Sequence, residues 1–134
     1  MNANNFWSNV EEIVPDQKLQ VAWLLATSAL SQGDCVTARK AVIDNPELRN
    51  SILGREVLAQ IMLTEGNEEE AVKLYSDIES RSATAKMFLA RRAIAEKNWN
   101  EARRPTELLL LQYPDAELLK AQLRTILRAM QESN

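Results

Sequence analysis

The sequence predicts an all-α protein, about seven to eight helices folded as antiparallel hairpins. Three observations carry that prediction. Leu and Ala dominate the 46% of residues that are apolar, while 134 residues hold only 3 glycines and 4 prolines. Alanine and unbranched side chains lose little freedom in a helix, so such a chain is helix-forming along most of its length. A Leu-Ala pair is followed by a helix stop and then by a second alanine, and this happens three times. Apolar residues near both ends recur at helical rather than alternating spacing.

The first element is residues 1–15. In "NNFWSNVEEIVPDQ" the residues Phe6, Trp7, Val10, Ile13 and Val14 form the apolar side of a short helix, and Pro15 stops it or opens the next one. Covering the first repeat is its expected task, and docking into the protein's own groove is the other reading. The stretch has neither a basic start nor a long apolar core, so it is not read as a secretory signal.

Three repeats follow, at 17–46, 50–80 and 82–114. Leu25-Ala26 leads to Gly33-Asp34 and Ala38; Leu58-Ala59 leads to Gly66-Asn67 and Ala71; Leu89-Ala90 leads to Lys97-Asn98 and Ala102. The two alanines of each unit are 12 residues apart, and the units recur after 33 and 31 residues. This is the spacing of a helical hairpin. Gly33 and Gly66 stand where a helix ends in the left-handed conformation, and Asp34, Asn67 and Asn98 are fit to cap the next helix. Glu70 and Glu101 follow their caps by three residues, as in a capping box. The paired alanines are expected to meet between antiparallel helices, where a small side chain permits close approach.

Pro105 falls in the second helix of the third repeat and predicts a kink or a restart there. The run Leu108 to Leu111 behind it is expected to be buried by its own hairpin on one side and the final helix on the other. That final helix, 115–131, places Leu119, Leu123, Ile126, Leu127 and Met130 on one face and serves as the cap a repeat array needs. No apolar run approaches the ~20 residues of a membrane span. A single cysteine, Cys35, excludes an internal disulfide framework, so a cytoplasmic protein is expected.

The pattern resembles the tetratricopeptide repeat, whose signature is W-x2-L-G-x2-Y, A-x3-F and P. The chain offers Ala22-x2-Leu25-Ala26-x2-Ala29, Arg55-x2-Leu58-Ala59-x2-Met62 and Lys86-x2-Leu89-Ala90-x2-Ala93. The second halves read Ala38-x3-Val42, Ala71-x3-Tyr75 and Ala102-x3-Thr106, with Pro46 and Pro114 near unit ends. The aromatic anchors are mostly missing, and Lys97 replaces the glycine of the helix stop. The resemblance implies three hairpins stacked as a short right-handed solenoid in one domain, with capping helices at both ends. It also implies a concave groove lined by the first helix of each hairpin. Carried over residue by residue, that lining is Trp23, Thr27 and Leu30, then Glu56, Gln60 and Leu63, then Met87, Arg91 and Ile94.

The chemistry absent from the sequence narrows the function. There is no histidine, which excludes Ser-His, Cys-His and His-metal sites. No phosphate-cradling glycine loop occurs. Consecutive Glu68, Glu69 and Glu70 point different ways from one helix and suit its positive end. No cofactor or metal is expected, and the chain is read as a non-enzymatic protein–protein interaction module. Its groove would take an amphipathic helix or apolar segment of a partner. The Lys and Asn clamp by which co-chaperone members of the family grip acidic peptides is not at the matching places. The size of the array resembles the small chaperones of type III secretion, which implies a holding chaperone; a scaffold subunit of a larger assembly is the alternative. Residues 1–80 carry a net −7 (6 Lys/Arg, 13 Asp/Glu) and 81–134 a net +4 (10 and 6), which allows weak head-to-tail self-association. The basic cluster Arg81, Lys86, Arg91, Arg92, Lys97, Arg103 and Arg104 raises nucleic acid as a lesser partner class.

Overall fold

The computed structural model describes residues 15–132, and these are all-α. Among them are eight α-helices: α1 Pro15–Ser31, α2 Cys35–Ile43, α3 Pro46–Arg49, α4 Ile52–Thr64, α5 Glu68–Ile78, α6 Ala83–Ala95, α7 Trp99–Gln112 and α8 Glu117–Glu132. A 3₁₀ turn, Glu79–Arg81, separates α5 from α6. The expected N-terminal helix within residues 1–15 lies almost wholly outside the described residues. The chain forms two compact units, Met1–Leu74 and Tyr75–Asn134. In the first, α1 packs on α2, and both meet α4, with the single turn α3 wedged among them. In the second, α6 packs on α7 and α7 on α8.

The three helix stops read from the sequence close in the same way. Gly33 N–H donates to Leu30 O at 2.9 Å and Asp34 N–H to Ala29 O at 2.9 Å. Gly66 and Asn67 repeat this on Leu63 O (3.1 Å) and Met62 O (2.8 Å), and Lys97 and Asn98 on Ile94 O (3.0 Å) and Ala93 O (2.8 Å). These paired bonds are the Schellman motif, which satisfies the orphan carbonyls at a helix end. It requires a positive φ at its turning residue, found at 79° for Gly33, 86° for Gly66 and 60° for Lys97. Lys97 therefore holds a backbone conformation that its Cβ opposes.

A prediction follows. The left-handed conformation costs an L-residue ~1–2 kcal/mol, and glycine's greater unfolded-state freedom returns about half of that. Lys97→Gly is expected to raise stability by about 0.5–1 kcal/mol. A urea midpoint that rises at constant slope checks it; an unchanged midpoint refutes it.

The six alanines of the register, Ala26, Ala38, Ala59, Ala71, Ala90 and Ala102, are all fully buried. Larger side chains fill in around them. In unit one Val42, Leu48, Val57 and Ile61 join Ala26, Ala29 and Ala38 in one core. In unit two Ile126 of α8 closes on Ala93 and Ala102. Tyr75 and Phe88 add an aromatic pair with ring centroids 4.6 Å apart.

Four details depart from the sequence reading. Asn98 takes the capping position of α7, but its side chain makes no capping bond, whereas Asp34 accepts from Thr37 N–H at 3.1 Å. The helix runs from Trp99 to Gln112 without restarting at Pro105. Proline there removes the hydrogen bond to the carbonyl of Glu101 and crowds that turn, and Glu101 is a residue open to water. Of the four leucines, Leu109 is buried at 2% exposure while Leu108 is 41% and Leu111 80% exposed. Consecutive helical residues turn by about 100°, so neighbours covering one side of α7 leave part of the run outside. The last helix starts at Glu117 rather than 115, with Leu119 and Ile126 buried and Leu127 37% exposed.

Candidate partner-binding surfaces

The nine groove residues predicted from the sequence fall at i, i+4 and i+7 on α1, α4 and α6, so each set of three shares one helix face. In unit one, Trp23 and Leu30 are half-buried because they support the core from α1. Thr27 donates its hydroxyl to Trp23 O at 2.9 Å, which turns it back on its own helix. On α4, Glu56 and Leu63 are half-buried and Gln60 is exposed. In unit two, Met87 is half-buried, Arg91 is exposed, and Ile94 leans on the core of Ala93, Ala102 and Ile126. Trp23, Leu30 and Ile94 thus serve the core of their own unit with one side and keep some surface on the other.

Two clefts were not read from the sequence. Unit two has one of about 620 Å³ between α7 and α8. It is lined by Leu108, Leu110, Leu111 and Leu123 together with the charged Arg103, Arg104 and Glu107. Arg103 Nε sits 2.5 Å from Glu107 Oε1, an i,i+4 pair that fixes both charges on α7. The signal for this cleft was the leucine run itself, since four successive leucines cannot all face one neighbour. Unit one has a second cleft of about 600 Å³ between α1 and α2. Val21, Ala22 and Leu25 of α1 face Val36 and Ala41 of α2 across it, with Lys18 and Lys40 at its edge. Val36 is 76% exposed there.

The basic cluster of the third repeat is less available than its sequence implies. Lys86 is buried and donates its Nζ to Ser80 O at 3.2 Å. Arg92 pairs with Glu96 at 3.5 Å, and Arg103 with Glu107. Arg81, Arg91, Lys97 and Arg104 are exposed. Phosphate binding needs several converging cations, and three of the seven are already engaged within unit two. Among the described residues no group of Cys, Asp or Glu is placed to hold a metal ion, and no helix is long and apolar enough to cross a membrane.

Two carboxylates of unit one carry a pH dependence. Arg39 on α2 clamps both oxygens of Glu65 at the end of α4, with Nη1 3.0 Å from Oε2. That bond holds the Glu65 carboxyl below its ordinary range and raises Arg39. Hydrogen bonding from Thr37, side chain first and backbone second, lowers Asp34 likewise. A carboxylate depressed in the fold adds stability that is complete above its unfolded pKa and is lost as pH falls through the folded value. Tm is therefore expected to fall below about pH 4, and less steeply in a Glu65→Gln, Asp34→Asn double variant. Parallel curves for the two proteins would show that neither bond contributes.

Searches against protein-family models, curated proteins and solved structures each return no match for this chain.

Proposed function

We propose that this chain is a non-enzymatic protein-binding module of tetratricopeptide-like hairpins that holds an apolar or amphipathic helix of another protein. The observation that carries the reading is the leucine-lined cleft of unit two, in which Leu111 is 80% exposed. An exposed apolar surface accompanied by charge is what a partner helix covers: the leucines supply burial, and Arg103, Arg104 and Glu107 set the direction. Such a site suits a holding chaperone, which shields an apolar segment of its client until assembly. That is the role implied by the resemblance to the small type III secretion chaperones.

The test separates this cleft from the first-helix faces. Leu111→Glu is expected to weaken partner capture at least tenfold with little change in Tm, because an exposed side chain contributes little to the fold. Trp23→Ala and Met87→Ala remove half-buried side chains and are expected to lower Tm more than they lower binding. Lost binding at unchanged Tm for Trp23→Ala or Met87→Ala would move the partner to the first-helix face of the unit that carries that residue. Unchanged capture by all three variants would refute both seats.

A further inference from the structure

The cleft between α7 and α8 joins an apolar stripe to an excess of positive charge. On α7 its lining runs Asn100, Arg104, Leu108 and Leu111, at i, i+4, i+8 and i+11, so one helix face is presented over about 16 Å, or three turns. On α8 the lining residue is Leu123, with Leu119 and Ile126 buried to one side of it. At about 100° per residue, Leu127, Lys120 and Arg124 follow Leu123 on the other side, turned by roughly 40°, 60° and 100° around the helix. Leu127 is 37% exposed and Arg124 is exposed. The side of α8 that borders the cleft therefore also carries apolar and cationic groups together.

Charge decides what that surface accepts. Arg103, Arg104, Lys120 and Arg124 stand along these two stripes. The carboxylates among them are already engaged within their own helices, Glu107 by Arg103 at 2.5 Å and Glu117 by Lys120 at 3.3 Å. The side chains of Arg104 and Arg124 have no ion-pair partner among the described residues. Glu101, Asp115 and Glu132 lie at the ends of the helix pair, outside the lining. A basic partner would bring like charges beside Arg104 and Arg124, whereas an acidic one neutralises them as its apolar side covers the leucines. We propose that the occupant of this cleft is an acidic amphipathic helix of another protein, about three turns long, with Asp or Glu flanking its apolar stripe. Its carboxylates pair with Arg104 and Arg124. This choice of partner rests on the cleft being the partner's seat, and it adds the chemistry of the helix that sits there.

Two stapled helical peptides of about 14 residues, titrated onto the full chain, test the proposal. Both carry the same leucine stripe, flanked by Glu in one and by Lys in the other. By fluorescence anisotropy at about 50 mM salt, the Glu peptide is expected to bind at least about tenfold more tightly than the Lys peptide. At about 500 mM salt that margin should shrink below about threefold. Arg104→Glu with Arg124→Glu should reverse the preference at unchanged Tm, because both side chains are exposed. Arg104→Gln with Arg124→Gln should cancel it, even where the reversal disturbs the fold. Leu111→Gln should weaken both peptides at least about tenfold. Equal affinity for the two peptides, weakened together by Leu111→Gln, would keep the cleft as a seat and overturn the acidic partner. Binding of neither at about 1 mM peptide would remove the seat itself. A preference that survives both double variants also overturns the proposal. So does a dimer in sedimentation that Leu111→Gln dissolves, which gives the cleft to a second copy.

Discussion

Gly54→Ala is expected to destabilise the protein by about 3 kcal/mol or more and to lower Tm by ~10 °C. The sign is the informative part. Position 54 lies in the first turn of α4, and replacing a helical glycine by alanine ordinarily stabilises by about 0.5–1 kcal/mol. Here a Cβ would stand 1.8 Å from the carbonyl oxygen of Leu48 and 2.6 Å from its carbonyl carbon. Those are backbone atoms, and they are held. Ser51 donates to the same carbonyl through its N–H at 3.0 Å and its hydroxyl at 2.6 Å, while its Oγ accepts from Gly54 N–H at 3.0 Å. The Leu48 side chain is itself fully buried in the core of unit one. Relief therefore requires α3 to leave α4, which opens that core. A urea melt followed by Trp23, which packs on this core, reads the effect directly. A midpoint equal to or above that of the parent chain would mean that α3 does not press on α4.

Nothing in the sequence marks Gly54 as a contact, and the reason separates what was legible from what was not. Turns leave local signatures. Gly33 and Gly66 mark the left-handed stops because glycine adopts that backbone most readily, and the buried alanines mark close helix approach because larger residues do not fit. Both were readable at single positions, and the six alanines of the register are all fully buried, although Ala85, equally buried, lies outside it. Lys97 was readable as a departure, and the structure adds that it takes the left-handed conformation regardless. Gly54 meets a residue six positions away across a one-turn helix, α3, that the sequence reading did not include. The leucine run was misread for a related cause. Periodicity tells which residues share a face, while exposure depends on which faces a neighbour covers. The same limit hid both clefts, since a cleft is the surface left between helices.

Ala59→Leu, Ala26→Leu and Ala90→Leu test whether the repeat register is physical, and each is expected to cost roughly 1–3 kcal/mol. The three alanines precede their helix stops by the same seven residues, and all are fully buried. Leucine adds three carbons to a site with no room, forcing strained rotamers or a shift of the facing helix. The cost should be similar at the three sites because the turns that follow them share one hydrogen-bond pattern. Each unit has its own reporter: Trp23 packs on the core of unit one and Trp99 on that of unit two. Reading each substitution on the tryptophan of its own unit avoids assuming that the whole chain unfolds in one step. Ala95→Leu supplies the control, because Ala95 is exposed on α6, the helix that buries Ala90. The same chemical change there should stay within about 0.5 kcal/mol. A large loss at Ala90 beside a negligible one at Ala95 ties the penalty to the inner face of the hairpin. Equal effects at the two positions would leave the spacing of the alanines without a packing role, and the hairpin reading would lose its physical basis.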